Sequence, residues 1–191
     1  MNNYEYITAG LPAISKDNSA NGSIDADAII GEIRSLLGEK DNRALDFFLK
    51  GFSPENLNED FYKEALASGI RFIREYFRLD LNVRNTRTAY LNRELGREEG
   101  QDLIPLETGE FDGEQELEAV LRGKDILERE RGIDDFYWKE TDNLVCLEVF
   151  SLDLILAFIA KLKIVDRWMK LDPETGRELF RKFTEEIRNE R

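Results

Sequence analysis

The chain has 191 residues and a formal net charge of −13, and it contains no histidine and only one cysteine. Because histidine is the usual general base near neutral pH and a common zinc ligand, its absence excludes a Ser-His-Asp triad and a zinc site. The acidic charge argues against nucleic acid as the main partner, since binding to phosphates needs a basic surface. The single cysteine, Cys146, allows no internal disulfide, and its apolar neighbours indicate a buried thiol in a reducing cytoplasm.

The N-terminal stretch carries a weak strand signal. Residues Tyr4 to Thr8 alternate in aromatic and β-branched side chains and end before Gly10, which predicts a short strand or an extended segment. There is neither a basic region nor an apolar run at the start of the chain. We therefore expect no secretion signal and no membrane anchor.

The next stretch resembles the calcium loop of EF-hand proteins. Oxygen-bearing side chains occupy loop positions 1, 3, 5 and 9, namely Asp17, Ser19, Asn21 and Asp25. Position 12, where the loop needs a bidentate carboxylate, is Ala28. We therefore favour a polar loop over a calcium site, with Asp25 or Ser23 capping the following helix.

Helical spacing continues through the first half of the chain. Apolar residues predict an amphipathic helix from Ala26 to Leu37, followed by a shorter helix that is capped by Asp41 and ends near Gly51. Residues 58–96 predict one long helix or two stacked helices. Because helix propensity is poor at Asp80 to Asn85, we expect a bend there.

The helix at 71–97 is the basic part of an acidic chain. Arg71, Arg74 and Arg78 share one face of this helix. Residues 98–150 carry 17 acidic and 5 basic side chains. The arginines therefore serve either an anionic partner or a solvated face that is balanced by this acidic block. We interpret the paired carboxylates around Asp134 as solvated charges and not as a catalytic pair.

The second half predicts helices around a central apolar one. Residues 100–113 are rich in glycine and acids and predict an exposed linker within one helical domain, between 1–99 and 114–191. Two short helices follow, at 114–121 and 124–131. The stretch from Leu144 to Leu171 predicts a central buried helix that is too short in apolar length to span a membrane. A last helix is predicted from Asp172, with Leu179, Phe180, Phe183 and Ile187 on its buried face. The expected fold is an all-α bundle of long antiparallel helices.

Three segments carry a resemblance to a known family. The segments Tyr4–Pro12, Phe150–Lys161 and Val165–Trp168 resemble an uncharacterised family of bacterial proteins encoded in V/A-type ATP synthase operons. There the family stands in the place of the C-type stalk protein of these ATPases. The Leu156–Ile159 run is also similar to the C-terminal helix of that C-type stalk protein, whose eukaryotic counterpart is of the d type.

The resemblance implies a non-enzymatic adaptor without a cofactor, which joins the membrane rotor ring to the central shaft of a rotary ATPase. It would be cytoplasmic and attached to the inner membrane only through the complex. Its candidate partner-binding residues are Arg71, Arg74, Arg78, Glu114, Glu116 and Glu118. The alternative hypothesis is a small acidic binding module that responds to calcium or to an anion.

Overall fold

The computed structural model describes residues 3–17, 21 and 24–171, and these residues form helices and connecting segments without any strand. The helices are α1 (Tyr4–Gly10), α2 (Ala26–Leu36), α3 (Glu39–Lys50), α4 (Glu59–Leu66), α5 (Arg71–Leu95), α6 (Glu114–Leu121), α7 (Ile126–Val145) and α8 (Leu152–Lys170), with a short 3₁₀ helix at Pro54–Asn56. The all-α prediction is confirmed. None of these helices is long and apolar enough to cross a membrane.

The predicted N-terminal strand is wrong, because residues 4–10 form α1. Ile7 is 2% exposed in the core, and the Tyr4 hydroxyl donates a hydrogen bond of 2.7 Å to Asp41 Oδ2. Asp41 is therefore occupied within the fold and does not cap α3, which begins at Glu39 after Gly38. The capping role predicted for Asp25 is confirmed, since its side chain accepts from the backbone N–H of Ala28 at 3.0 Å.

The main core surrounds α8. Six consecutive residues of this helix, 155–160, are buried, and α8 packs against α1, α2, α3, α5 and α7. The predicted central helix is confirmed in its burial but not in its start. The chain turns at 146–150, and Ser151 caps α8 by accepting from the N–H of Leu154 at 3.2 Å. The helix predicted after Leu171 lies outside the described residues.

Helix α5 runs unbroken through the residues where a bend was predicted, and the break in this region lies at 67–70 instead. The poor helix formers in the middle of α5 are compensated by contacts elsewhere in the fold. Asp80 accepts from Tyr62 of α4 and Tyr137 of α7, while the Asn82 Oδ1 accepts from Thr108 at 2.5 Å. Tertiary hydrogen bonds thus hold residues that an isolated helix would disfavour.

Segment 96–113 lies along α5. The Asn85 side chain pairs with both backbone groups of Ile104, at 2.9 and 3.1 Å, and Asn92 donates to the carbonyl of Gln101 at 2.7 Å. Side chains within the segment pack onto the main core at Ile104 and Leu106. The segment leads into α6, which packs on α5 and α7 to form a second, smaller apolar cluster. Its buried members are Leu79, Val83, Leu117, Leu121, Ile133 and Phe136.

Helix α7 is a single helix of 20 residues, longer than the short helix predicted at 124–131. Its first turn is capped by Asp125, whose side chain accepts from the N–H of Glu128 at 2.8 Å. Together, α5, α7 and α8 form the walls that position the candidate site.

Candidate functional site

The predicted arginine face of α5 is engaged in intramolecular ion pairs. Arg71 contacts Glu148 at 3.0 Å and Asp153 at 3.3 Å, which joins the start of α5 to the turn before α8. Arg74 and Arg78 both contact Glu75 of the same helix, at 3.1 and 2.9 Å. The structure thus separates Arg71 from the other two by the partners they use.

The predicted acidic residues lie on α6 and link it to its neighbours. Glu118 accepts from Arg93 of α5 at 2.5 Å and from Arg122 at 2.9 Å, and the hydrogen bond from Arg93 lowers the pKa of Glu118. Glu116 pairs with Lys139 of α7 at 2.6 Å, while Glu114 is exposed. Arginines of α5 and carboxylates of the acidic block are therefore partners across helices, as one of the two interpretations of the sequence held.

The candidate calcium ligands are used by the backbone where the structure describes them. The Asn21 side chain accepts from the N–H of Ser15 at 2.7 Å and donates to its carbonyl at 2.8 Å, and Asp25 caps α2. Asp17 lies within the described part, whereas Ser19 does not. In the described ranges, no cluster of three or more Cys, Asp or Glu side chains is arranged to hold a metal ion.

A groove of about 820 Å³ opens between α5, α7, α8 and the segment 49–57. At its base lies Asp80, which is 6% exposed and uses both carboxylate oxygens. Oδ2 accepts from the Tyr62 hydroxyl at 2.5 Å and from Arg84 Nε at 2.7 Å, and Oδ1 accepts from the Tyr137 hydroxyl at 2.7 Å. The groove is thus built on a buried, fully hydrogen-bonded carboxylate.

The ionisation of the groups around Asp80 is shifted by burial and by its charge. Burial and then the Asp80 charge raise the pKa of Tyr62 and of Tyr137 well above the ordinary tyrosine value. Burial opposes the charge on Arg84, but Asp80 and the two tyrosines outweigh it and raise the pKa of the guanidinium. The tyrosines therefore stay neutral donors and the arginine stays charged.

A second buried carboxylate, Asp134, lies on the α7 side of the groove. It accepts from Arg167 and, at 2.5 Å, from the indole N–H of Trp168, both on α8. Burial raises the pKa of Asp134, and Arg167 and Trp168 oppose the rise. The expectation that Asp134 is a solvated charge is wrong, because its side chain joins α7 to α8.

Tyr76 also lines the groove and is only 5% exposed. Its hydroxyl has no hydrogen-bond partner among the residues described. The charged groups that act on its pKa are Asp80, Asp134, Arg84 and Arg167, and all four line the groove. The hydroxyl therefore faces the groove as a buried donor without an acceptor.

A second surface feature is the turn between α7 and α8. Leu147 is 92%, Val149 64% and Phe150 51% exposed, and these three residues are here called the apolar turn. Cys146, predicted to be buried, is exposed beside them. An adjoining groove of about 380 Å³ runs between the end of α1 and the face of α8 that carries Phe158.

Sequence reasoning missed both Asp80 and Tyr76 as site residues. One signal was available for Asp80: it lies three residues after Phe77 and four after Tyr76, on the apolar face of the helix, where a charge demands a partner. The identity of that partner was hidden, because Tyr62 and Tyr137 come from helices that meet α5 only in the folded chain.

A protein family of unknown function, DUF2764, matches two overlapping segments of the chain, residues 53–125 and 108–191. Together they span more than half of the chain and include α4 to α8, and hence most of the groove and the apolar turn. No curated protein and no solved structure matches the chain.

Proposed function

Because the chain belongs to the DUF2764 family, whose function is unknown, we propose a function from its surface and from the operon-family resemblance. The protein is a non-enzymatic adaptor of a V/A-type rotary ATPase, which joins the rotor ring to the central shaft. Such a part needs a rigid helical body and a surface that receives other subunits.

The apolar turn is the observation that carries this proposal. Large apolar side chains scattered singly are normal on a protein surface, but a group of them beside a groove marks an interaction site. Leu147, Val149 and Phe150 lie within four residues of one another, and Leu147 is almost fully exposed. These residues supply apolar anchors of the kind that dominate binding at the centre of protein interfaces.

Charged residues flank the apolar turn. Arg71 pairs with Glu148 and Asp153 on one side, and Lys161 of α8 pairs with Asp142 of α7 at 2.7 Å on the other. A helix of a partner protein fits this arrangement, with its apolar face in the groove and its charges at the rim. Such docking weakens with salt, because rim charges are screened.

The test is recovery of ATPase subunits from native membranes with the tagged protein. Leu147→Asp places a charge on the apolar turn at a side chain that contributes little to the fold, and we expect recovery to fall by at least ~10-fold, since an interface anchor is worth about 1.4 kcal/mol or more. The matched control is Ile126→Asp, an exposed apolar residue at the other end of α7. It should leave recovery unchanged.

Charge variants sharpen the same experiment. Reversal of Arg74 and Arg78, or neutralisation of Glu114, Glu116 and Glu118, should slow association more than it destabilises the fold, because exposed ion pairs contribute little to stability. If no ATPase subunit is recovered at low or at high ionic strength, or if Leu147→Asp and Ile126→Asp behave alike, the adaptor proposal fails.

A further inference from the structure

The groove holds more hydrogen-bond donors than the fold uses. Arg84 contacts Asp80 through Nε, Arg87 contacts Glu130 through Nη2, and Arg167 contacts Asp134 through Nη2. Each guanidinium carries five N–H donors, so most of them remain available. All three side chains are about half exposed and line the groove. A fourth cation, Lys163, lies 3.8 Å from its nearest carboxylate, that of Asp27.

The acceptors of the groove are, by contrast, mostly occupied. Both oxygens of Asp80 and one oxygen of Asp134 are taken by Tyr62, Tyr137, Trp168 and the arginines. A cationic ligand would compete with these bonds. An anionic ligand would use donors that are free.

Tyr76 is an independent indication of a ligand. A hydroxyl that is buried without a partner costs free energy, so proteins seldom leave one unless a bound molecule or ordered water receives it. Phe at this position would pack on the same aromatic neighbours, Phe72 and Phe48, without that cost. The hydroxyl therefore serves something in the groove.

We propose that this groove binds a small phosphorylated molecule, whose phosphate is held by the Tyr76 hydroxyl, Arg84, Arg167 and Lys163. A phosphate carries close to two negative charges and three acceptor oxygens, enough to engage several cations at once, whereas one carboxylate matches a single guanidinium. Apolar side chains at Leu57, Val83 and Leu91 line the same groove and face the organic part. A volume of about 820 Å³ is that of a site for a nucleotide-sized molecule.

The experiment is calorimetric titration of the full-length protein at low salt with inorganic pyrophosphate and with ADP, and with adenosine as the uncharged probe. At least one of the two phosphate probes should bind with a dissociation constant below ~1 mM, and adenosine should bind more weakly than ADP. Tighter binding of ADP than of pyrophosphate shows that the organic part contributes, and equal binding shows that phosphate alone is recognised.

Two variants locate the site. Tyr76→Phe removes a hydroxyl that the fold does not use, so the thermal unfolding midpoint should stay unchanged while affinity falls by ~10-fold, the value of one hydrogen bond to a charged group. Lys163→Gln should weaken binding to a similar degree. The matched controls, Tyr6→Phe and Lys40→Gln, are exposed residues outside the groove and should have no effect on affinity.

The proposal is overturned if neither pyrophosphate nor ADP binds below ~1 mM. It is equally overturned if binding is the same in Tyr76→Phe and Lys163→Gln as in the unaltered protein, or if adenosine binds as well as ADP.

Discussion

Helix α5 divides the molecule into two regions that are held together in different ways. On one side, Phe72, Ile73 and Phe77 enter the main core around α8, where apolar side chains pack without polar partners. On the other, Asp80 and Arg84 form the base of the groove, where each buried polar group depends on a particular residue of another helix. The core gains stability from area and shape. The groove bears the desolvation of a buried carboxylate, which apolar residues of similar volume would avoid.

The largest single loss of stability should come from the core. Leu156 is 0% exposed, so Leu156→Ala should leave a cavity and cost about 2–5 kcal/mol in unfolding free energy, measured by urea denaturation. The control is Leu147→Ala, which shortens an exposed leucine and should change the free energy by less than about 0.5 kcal/mol. Equal losses in the two variants would mean that α8 is not the centre of the core.

The main core could be predicted from the sequence because it rests on periodicity. Apolar spacing located α2 and the burial of α8, and the polar residue before an apolar run located the cap at Asp25. These signals are local, so they survive without knowledge of the fold. The start of α8 was misplaced because Leu144 and Val145 continue the apolar pattern across a turn that Ser151 ends by capping.

The groove could not be predicted, because its chemistry comes from residues far apart in the chain. Asp80 and Arg84 are four residues apart and look like an ordinary exposed pair on a helix surface. Burial by Tyr62 and Tyr137 changes their character, and those residues are 18 and 57 positions away from Asp80. The same reason explains the false bend in α5 and the false strand at α1, where contacts with distant residues outweigh local propensity.

Removal of Asp80 should have the next largest effect. Asp80→Ala leaves the hydroxyls of Tyr62 and Tyr137 and the Arg84 guanidinium without their acceptor, and we expect a loss of about 2–4 kcal/mol. Combining it with Tyr62→Phe should cost less than the sum of the two single losses, because both changes remove the same bond. Strict additivity in urea denaturation would show that the network does not act as a unit.

The groove also predicts a fall in stability at alkaline pH. Because burial raises the pKa of Tyr62, Tyr76 and Tyr137, above about pH 10 the unfolded chain loses protons that the folded chain keeps. Their contribution is fully present below that pH and declines as the pH rises, by up to about 1.4 kcal/mol per pH unit for each group. Unfolding measured between pH 8 and 11 should show a shallower decline in Tyr76→Phe, and parallel curves would contradict the assignment.

A smaller effect should follow from releasing the segment that lies along α5. Asn85→Ala removes both hydrogen bonds to Ile104, for an expected cost of about 1–2 kcal/mol and faster proteolytic cleavage within residues 98–113. Asn143→Ala, an exposed asparagine of α7, is the control and should leave the cleavage rate unchanged. If the two variants are cleaved at the same rate, the Asn85 side chain is not what holds the segment.

The smallest expected effect is that of calcium. The loop that begins at Asp17 lacks the bidentate carboxylate at position 12, where Ala28 stands, and thus two of about seven oxygen ligands. Asn21 and Asp25, two of its other candidate ligands, already bind backbone groups of Ser15 and Ala28. We therefore expect no calcium binding in the micromolar range by calorimetry, and no change in unfolding when calcium is added. Asp25→Ala should cost about 1 kcal/mol through loss of the helix cap, equally with and without calcium. Micromolar affinity that disappears in Asp17→Ala would show instead that the loop rearranges to bind the ion.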